Sequence, residues 1–215
     1  MSELPESPPR LSFSKSEAIG FGWNTAKSNL GFFILFSLLY LAVFIVLGII
    51  GYFLEKNPYP SVMVNIITWI LSIVLSMGFI KISLKLVDGN KPTYSDLFSS
   101  YTLFFNYLFG YILYSLIMLI GFILLFIPGI YFALKFQFCL YFIADKGVGP
   151  ITALKMSSQA TKGVKINLLL FGLLLWLVMM AGILAFIVGL FIAFPTTMVA
   201  SAFVYRKLSS QIKTS

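Results

Sequence analysis

Histidine is absent from this chain of 215 residues, and cysteine occurs once, at Cys139. The first absence removes the commonest metal ligand and the side chain that most readily exchanges protons near neutral pH. The second excludes a disulfide within the chain, and the sequence offers no zinc, haem or iron–sulfur spacing. Charge is scarce too. Only 10% of residues are charged, against about 25% in soluble domains. The seven carboxylates (Glu3, Glu6, Glu17, Glu55, Asp88, Asp96 and Asp145) all lie at or outside the ends of the apolar runs. A hydrolase or transferase needs such groups to converge with a base or a metal. The best enzymatic case is a meeting of Asp88, Asp96 and Asp145. Without a visible nucleophile or base beside them, the chain reads as non-enzymatic, with no cofactor and no bound metal.

What the chain has is apolar length. Hydrophobic residues make up 60% of it, with 23 Phe and 11 Tyr, and the mean hydropathy is +0.98. One membrane span takes about 20 apolar residues. Tyr101 to Ala144 is about two spans long and must fold back on itself. Its strongest turn signal is Pro128-Gly129, which predicts a tight hairpin whose uncharged turn is covered by neighbouring helices. Leu30 to Leu54 reads as a first span, and Val62 to Leu84 as a second, separated by a polar turn from Glu55 to Pro60. Asn167 to Tyr205 is again double length and splits near Gly189. The first apolar run starts too late and runs too long for a cleaved signal. No segment outside these runs is long enough to bury a core of its own.

The fold class predicted is all-α: a polytopic membrane protein of six transmembrane helices. Residues 1–13 read as a disordered tail, 14–208 as a single six-helix domain, and 209–215 as a second tail. Short amphipathic helices precede the hairpins. Ser14 to Glu17 has capping-box form, and Ile19, Trp23, Ala26 and Leu30 recur at helical spacing. Lys15 to Ser28 therefore reads as a helix on the membrane surface, with a plain extension of the first span as the alternative. Leu97, Tyr101, Phe104 and Leu108 predict a second such stretch. Ile151, Leu154, Ser158 and Thr161 mark a third, which starts at Pro150. The pattern reads as three helix-plus-hairpin units, echoed by Gly121 with Gly129 and by Gly182 with Gly189. Chance likeness between apolar sequences is the competing explanation.

Charge sets the orientation. Arg10, Lys15, Lys27, Lys81, Lys85, Lys91, Lys146, Lys155, Lys162, Lys165, Arg206, Lys207 and Lys213 fall on one side of such a six-span chain, thirteen of the fifteen basic residues. Lys56 alone falls opposite, and Lys135 lies within a span. By the positive-inside rule both termini are cytoplasmic in a cell membrane. The net charge of +8 is thus spread over span ends rather than gathered on a soluble face, which argues against nucleic acid.

The stretch from Gly121 to Lys135 around Ile127-Pro128-Gly129, then Ala144-Asp145, Gly149-Pro150, Ala153-Leu154-Lys155 with Ser157, and Thr161-Lys162-Gly163 resembles a bacterial group of six-helix proteins. That group is similar to the membrane domain attached to some glycerophosphoryl diester phosphodiesterases and to YciC-like membrane proteins. The resemblance runs from about Ser16 to Leu208. It implies an integral membrane protein. The phosphodiesterase chemistry of the fused members belongs to a separate soluble domain and does not carry over.

Among site candidates, Lys135 stands first as a charge deep in a span. It is placed to bind a lipid phosphate or an anionic solute; the structural alternative is snorkelling or a bond to a buried carbonyl. Lys155, Lys162 and Lys165, with Lys146, form a basic strip that anionic headgroups would attract, unless it serves topology alone. Asn65, Thr68, Ser72 and Ser76 share one face of the second span, which predicts helix packing rather than a pore. Two functions follow: a non-enzymatic protein associating with lipid, a membrane partner or its own copies in envelope homeostasis or assembly, and a small-solute or lipid transporter or channel component.

Overall fold

The computed structural model describes residues 12–56, 58–97, 99, 101–185 and 189–212. Most of the expected N-terminal tail, the turn near Gly189 and the last three residues therefore lie outside the described residues. Among those described there are nine α-helices and no strand: α1 (Lys15–Ser28), α2 (Leu30–Leu54), α3 (Pro58–Val87), α4 (Phe104–Leu124), α5 (Phe126–Phe136), α6 (Cys139–Lys146), α7 (Pro150–Ala160), α8 (Lys165–Leu184) and α9 (Leu190–Ser209). Five helical segments are long and apolar enough to cross a membrane: α2, Tyr59–Val87, Tyr94–Leu124, Phe126–Lys146 and α8. The helix α9 is not among them. Pro195, Thr196, Thr197 and Ser201 dilute its apolar residues, and Arg206-Lys207 close it.

That helix is nevertheless the core. Its buried face runs through Ala193, Thr196, Val199, Ala200, Val204, Tyr205 and Leu208, and α1, α2, α3 and α8 all pack on it. The first helix runs antiparallel along its C-terminal half. Lys207 meets Glu17, Phe203 stacks on Phe21 with ring centroids 4.9 Å apart, and Gly22 lies against Thr196 and Ala200. The buried stripe of α1 is Ala18, Gly22 and Ala26. Trp23, expected at the membrane surface, is exposed, while small residues at four-residue spacing let the backbones of α1 and α9 approach closely where larger ones would hold them apart. The Ser14 half of the capping box is as read, with the Glu17 N–H donating to Ser14 Oγ at 3.3 Å, while the Glu17 carboxylate, expected to reach back, pairs with Lys207 instead.

Other expectations shift in detail. Pro58 to Pro60 belong to the first turn of α3 rather than to a polar loop. The amphipathic helix expected around Leu97 and Tyr101 is instead two 3-10 turns, Tyr94–Leu97 and Tyr101–Leu103. The reversal between α4 and α5 falls at Leu125, which is extended (φ −171°, ψ 156°), three residues before Pro128. Pro128 and Gly129 form the first turn of α5, where a missing N–H costs little. Gly129 is buried against Phe122, and a Cβ added at Gly121 would stand 3.1 Å from the Gly129 Cα. The hairpin tip is exposed rather than covered, at Leu125, Phe126 and Ile127. In the α8–α9 hairpin Gly182 and Gly189 make the same kind of close approach.

Candidate functional site

The C-terminal ends of α3, α6 and α9 meet, and each brings charge. Asp88 follows α3, and Asp145 is the penultimate residue of α6. A carboxylate at a helix C-terminus opposes the helix dipole and calls for a cation. Arg206, from the last turn of α9, supplies it for both. Its Nε and Nη2 donate to Asp88 at 3.0 and 2.7 Å, and its Nη1 donates to both oxygens of Asp145 at 2.8 Å. Tyr205 Oη donates to Asp145 Oδ2 at 2.8 Å. Alongside, Lys85 Nζ reaches Asp96 Oδ2 at 2.8 Å. Asp96 also accepts from the Thr93 N–H and hydroxyl, both at 2.7 Å. Arg206, Lys85 and the three aspartates, with Lys81 and Ser99, line a cavity of about 270 Å³. The three aspartates thus line one cavity, and each is held by a cation. Among the described residues no group of three or more His, Cys, Asp or Glu is placed to hold a metal.

The lysines singled out from sequence lie on or beside α5, α7 and α8, and both α7 and α8 pack on α5. The long second arm of the central hairpin is not one helix. It breaks at Gln137-Phe138 between α5 and α6, which frees backbone groups that must find partners. The Lys135 carbonyl accepts from Ser157 Oγ at 3.0 Å and from Thr161 Oγ1 at 3.1 Å, while the Phe138 N–H donates to Ser157 Oγ at 3.2 Å. Ser157 and Thr161 are fully buried on the inner face of α7. The Lys135 side chain stays half-buried, its Nζ 5.0 Å from the Phe136 ring centroid. Lys165 Nζ sits over Tyr131, 4.7 Å from its ring centroid, one helical turn before Lys135. Lys162 follows Thr161 and is exposed, as is Lys155. None of the four has a carboxylate partner among the described residues, whereas Glu17, Asp88, Asp96 and Asp145 are all ion-paired.

Sequence reasoning found the lysines and missed the clamp. Arg206 reads as a stop signal in the sequence, and nothing local marks it as a partner of residues 61 and 118 positions away. The available signal was indirect: two aspartates at helix C-termini, each needing a cation. Ser157 and Thr161 were legible only as members of a motif, since the break that they serve lies about 20 residues earlier. Compared with protein-family models, with curated proteins and with solved structures, the chain matches none of them.

Proposed function

We propose that the chain is a non-enzymatic, multi-pass protein of the cell membrane whose unpaired lysines hold anionic lipid headgroups. The observation that carries this is the division of charge. Asp96, Asp88 and Asp145 are neutralised by Lys85 and Arg206, and Glu17 of α1 by Lys207, so Lys135, Lys155, Lys162 and Lys165 are left as uncompensated positive charge. Near a bilayer surface each such lysine is worth about 1 kcal/mol toward anionic lipid. In this reading α9 is the sixth span. Its 20 residues reach about 30 Å, and a helix surrounded by other helices needs no lipid-like surface. Six spans put both termini on the cytoplasmic side with most basic residues. The three-unit repeat and the resemblance to the six-helix bacterial family accord with this arrangement.

The test is native mass spectrometry of the chain released gently from membranes. Phosphatidylglycerol or cardiolipin should remain bound, and the paired substitution Lys155→Ala with Lys162→Ala should lower its occupancy by about tenfold or more. Unchanged occupancy there and in Lys135→Ala would refute the lipid role. Orientation is checked separately: cysteines placed at positions 57 and 91 should label from opposite sides.

The alternative, a small-solute or lipid transporter, draws on the polar stripe of α3. Thr68, Ser72 and Ser76 donate to carbonyls of their own helix at 2.8 Å, so the stripe offers a solute acceptors rather than donors. Flux of a broad solute panel in proteoliposomes would favour that reading.

A further inference from the structure

Two cavities lie between α2 and α3, and they share the same two helix faces. One, of about 480 Å³, is lined by Ser37, Tyr40 and Leu41 of α2 and by Ser72, Ser76 and Phe79 of α3, with α8 and α9 behind it. The other, of about 390 Å³, is lined by Phe44, Gly48, Gly51 and Glu55 of α2 and by Asn65 and Thr68 of α3. Positions 37, 40, 41, 44, 48, 51 and 55 recur at helical spacing, as do 65, 68, 72, 76 and 79, so the cavities are two parts of one groove. From Ser37 to Glu55 it runs about 27 Å.

The groove is chemically graded along its length. Its far end is apolar, walled by Phe79, Phe194, Met179 and Met198. Its near end carries acceptors. Glu55 is the carboxylate that, among the described residues, has no ion pair, and it is exposed. Asn65 lines the same cavity about one helical turn further in, and its carboxamide has no described partner. The Thr68 hydroxyl donates to the Val64 carbonyl, which leaves its oxygen to accept. Lys56, the next residue of the turn, is an exposed cation one position beyond the mouth of the groove. Gly48 and Gly51 leave the α2 wall without side chains. A Cβ at Gly48 would meet nothing within 4 Å, and one at Gly51 only Val64, at 3.8 Å.

We propose that this groove holds one phospholipid with an ammonium-bearing headgroup, of the phosphatidylethanolamine class. The ammonium is taken by Glu55 and Asn65 and the phosphate by Lys56. One acyl chain passes Gly51 and Gly48 toward Leu41. Charge complementarity chooses this occupant: the headgroup is a zwitterion, and Glu55-Lys56 is its mirror image. Length agrees. One leaflet's share of the hydrocarbon core, about 15 Å, covers about ten helical residues, which is the distance from Gly51 to the apolar cavity at Leu41. The proposal rests on the reading of the chain as a lipid-associated membrane protein and adds a second, differently charged lipid site to it.

The experiment is competition between phosphatidylethanolamine and phosphatidylglycerol on the delipidated full chain, read by native mass spectrometry. One phosphatidylethanolamine should remain, preferred about tenfold at this site, and Glu55→Gln should remove that preference. Gly48→Phe, whose Cβ would meet nothing within 4 Å, should lower occupancy, and Asn65→Leu should do so in part. An unchanged preference in Glu55→Gln, or unchanged occupancy in Gly48→Phe, overturns the proposal. The Lys155 and Lys162 substitutions should lower phosphatidylglycerol alone. A chain that keeps phosphatidylglycerol on its lysines but has no ethanolamine preference leaves the basic-face reading standing and refutes this one; the converse result does the opposite.

Discussion

The helices α2 and α9 are opposites. The former has a mean hydropathy of 3.0 over its most apolar stretch, yet only 11% of that stretch is buried inside the protein. Phe33 and Phe36 are its buried residues. The latter is interrupted by Pro195, hydroxyls and two basic residues, and the protein closes around it on several sides. In water this pairing of apolarity with exposure would be inverted. Lipid tails are as apolar as leucine, so leucine gains nothing by moving from lipid to a helix interface. What decides helix contact here is how closely backbones can approach and where polar groups find partners. Large apolar side chains lie both on the surface of this molecule and in its core, so apolarity does not by itself mark the interior; the closest helix contacts are made at small residues.

Substitutions can break or sharpen that contrast. The largest effect belongs to Gly22→Leu, because a Cβ there would stand 2.5 Å from the Thr196 carbonyl oxygen and 3.1 Å from Ala200. Overpacking of this kind costs about 3 kcal/mol or more, and α1 should become sensitive to protease; a wild-type melting curve would mean that α1 does not pack on α9. Next comes Arg206→Ala. It strands Asp145, whose side chain is 13% exposed, together with the more open Asp88. The loss should be about 2 kcal/mol, below the range for fully buried pairs because solvent screens part of the site. Arg206→Lys should rescue little, since one ammonium cannot fork between two carboxylates. Denaturation in mixed micelles would read both. Ser157→Ala removes two hydrogen bonds at the α5–α6 break and should cost about 1–2 kcal/mol, with a new site of hydrogen exchange at Phe138. If Phe138 stays protected, another group caps the break. The smallest effect is expected on α2: Leu39→Ala, at a side chain 52% exposed, should change stability by less than about 0.5 kcal/mol. A larger loss would mean that this face of α2 is covered by protein, and cross-linking from position 39 would then identify the cover.

The same contrast explains what could be read from the sequence. The limits of α2, Leu30–Leu54, coincide with the apolar run, because hydropathy is the variable that lipid exposure selects. Pro150 at the start of α7 and the Ser14 cap are local backbone effects and were equally legible. The packing face of α1 was not, since Ala18, Gly22 and Ala26 carry almost no hydropathy signal beside Ile19 and Trp23. The turn at Leu125 and the break at Gln137-Phe138 were hidden inside apolar sequence, where Pro128 drew the turn three residues too far along the chain. Among site residues, the lysines stand out as isolated charges in apolar surroundings. The partners of Arg206 do not, because pairing between residues so far apart in the chain leaves no local pattern.

The antiparallel seating of α1 on α9 also sets an order of events at the ribosome. Gly22 and its partners Thr196 and Ala200 are separated by most of the chain, and at about 5–20 residues per second the first helix emerges roughly 10–30 s before the last. Throughout that interval its small-residue stripe is bare, and Asp88 and Asp145 wait without their arginine. Of the described helices, the one made after the other eight is therefore the one that closes the bundle: the nascent protein stays unlocked until α9 arrives.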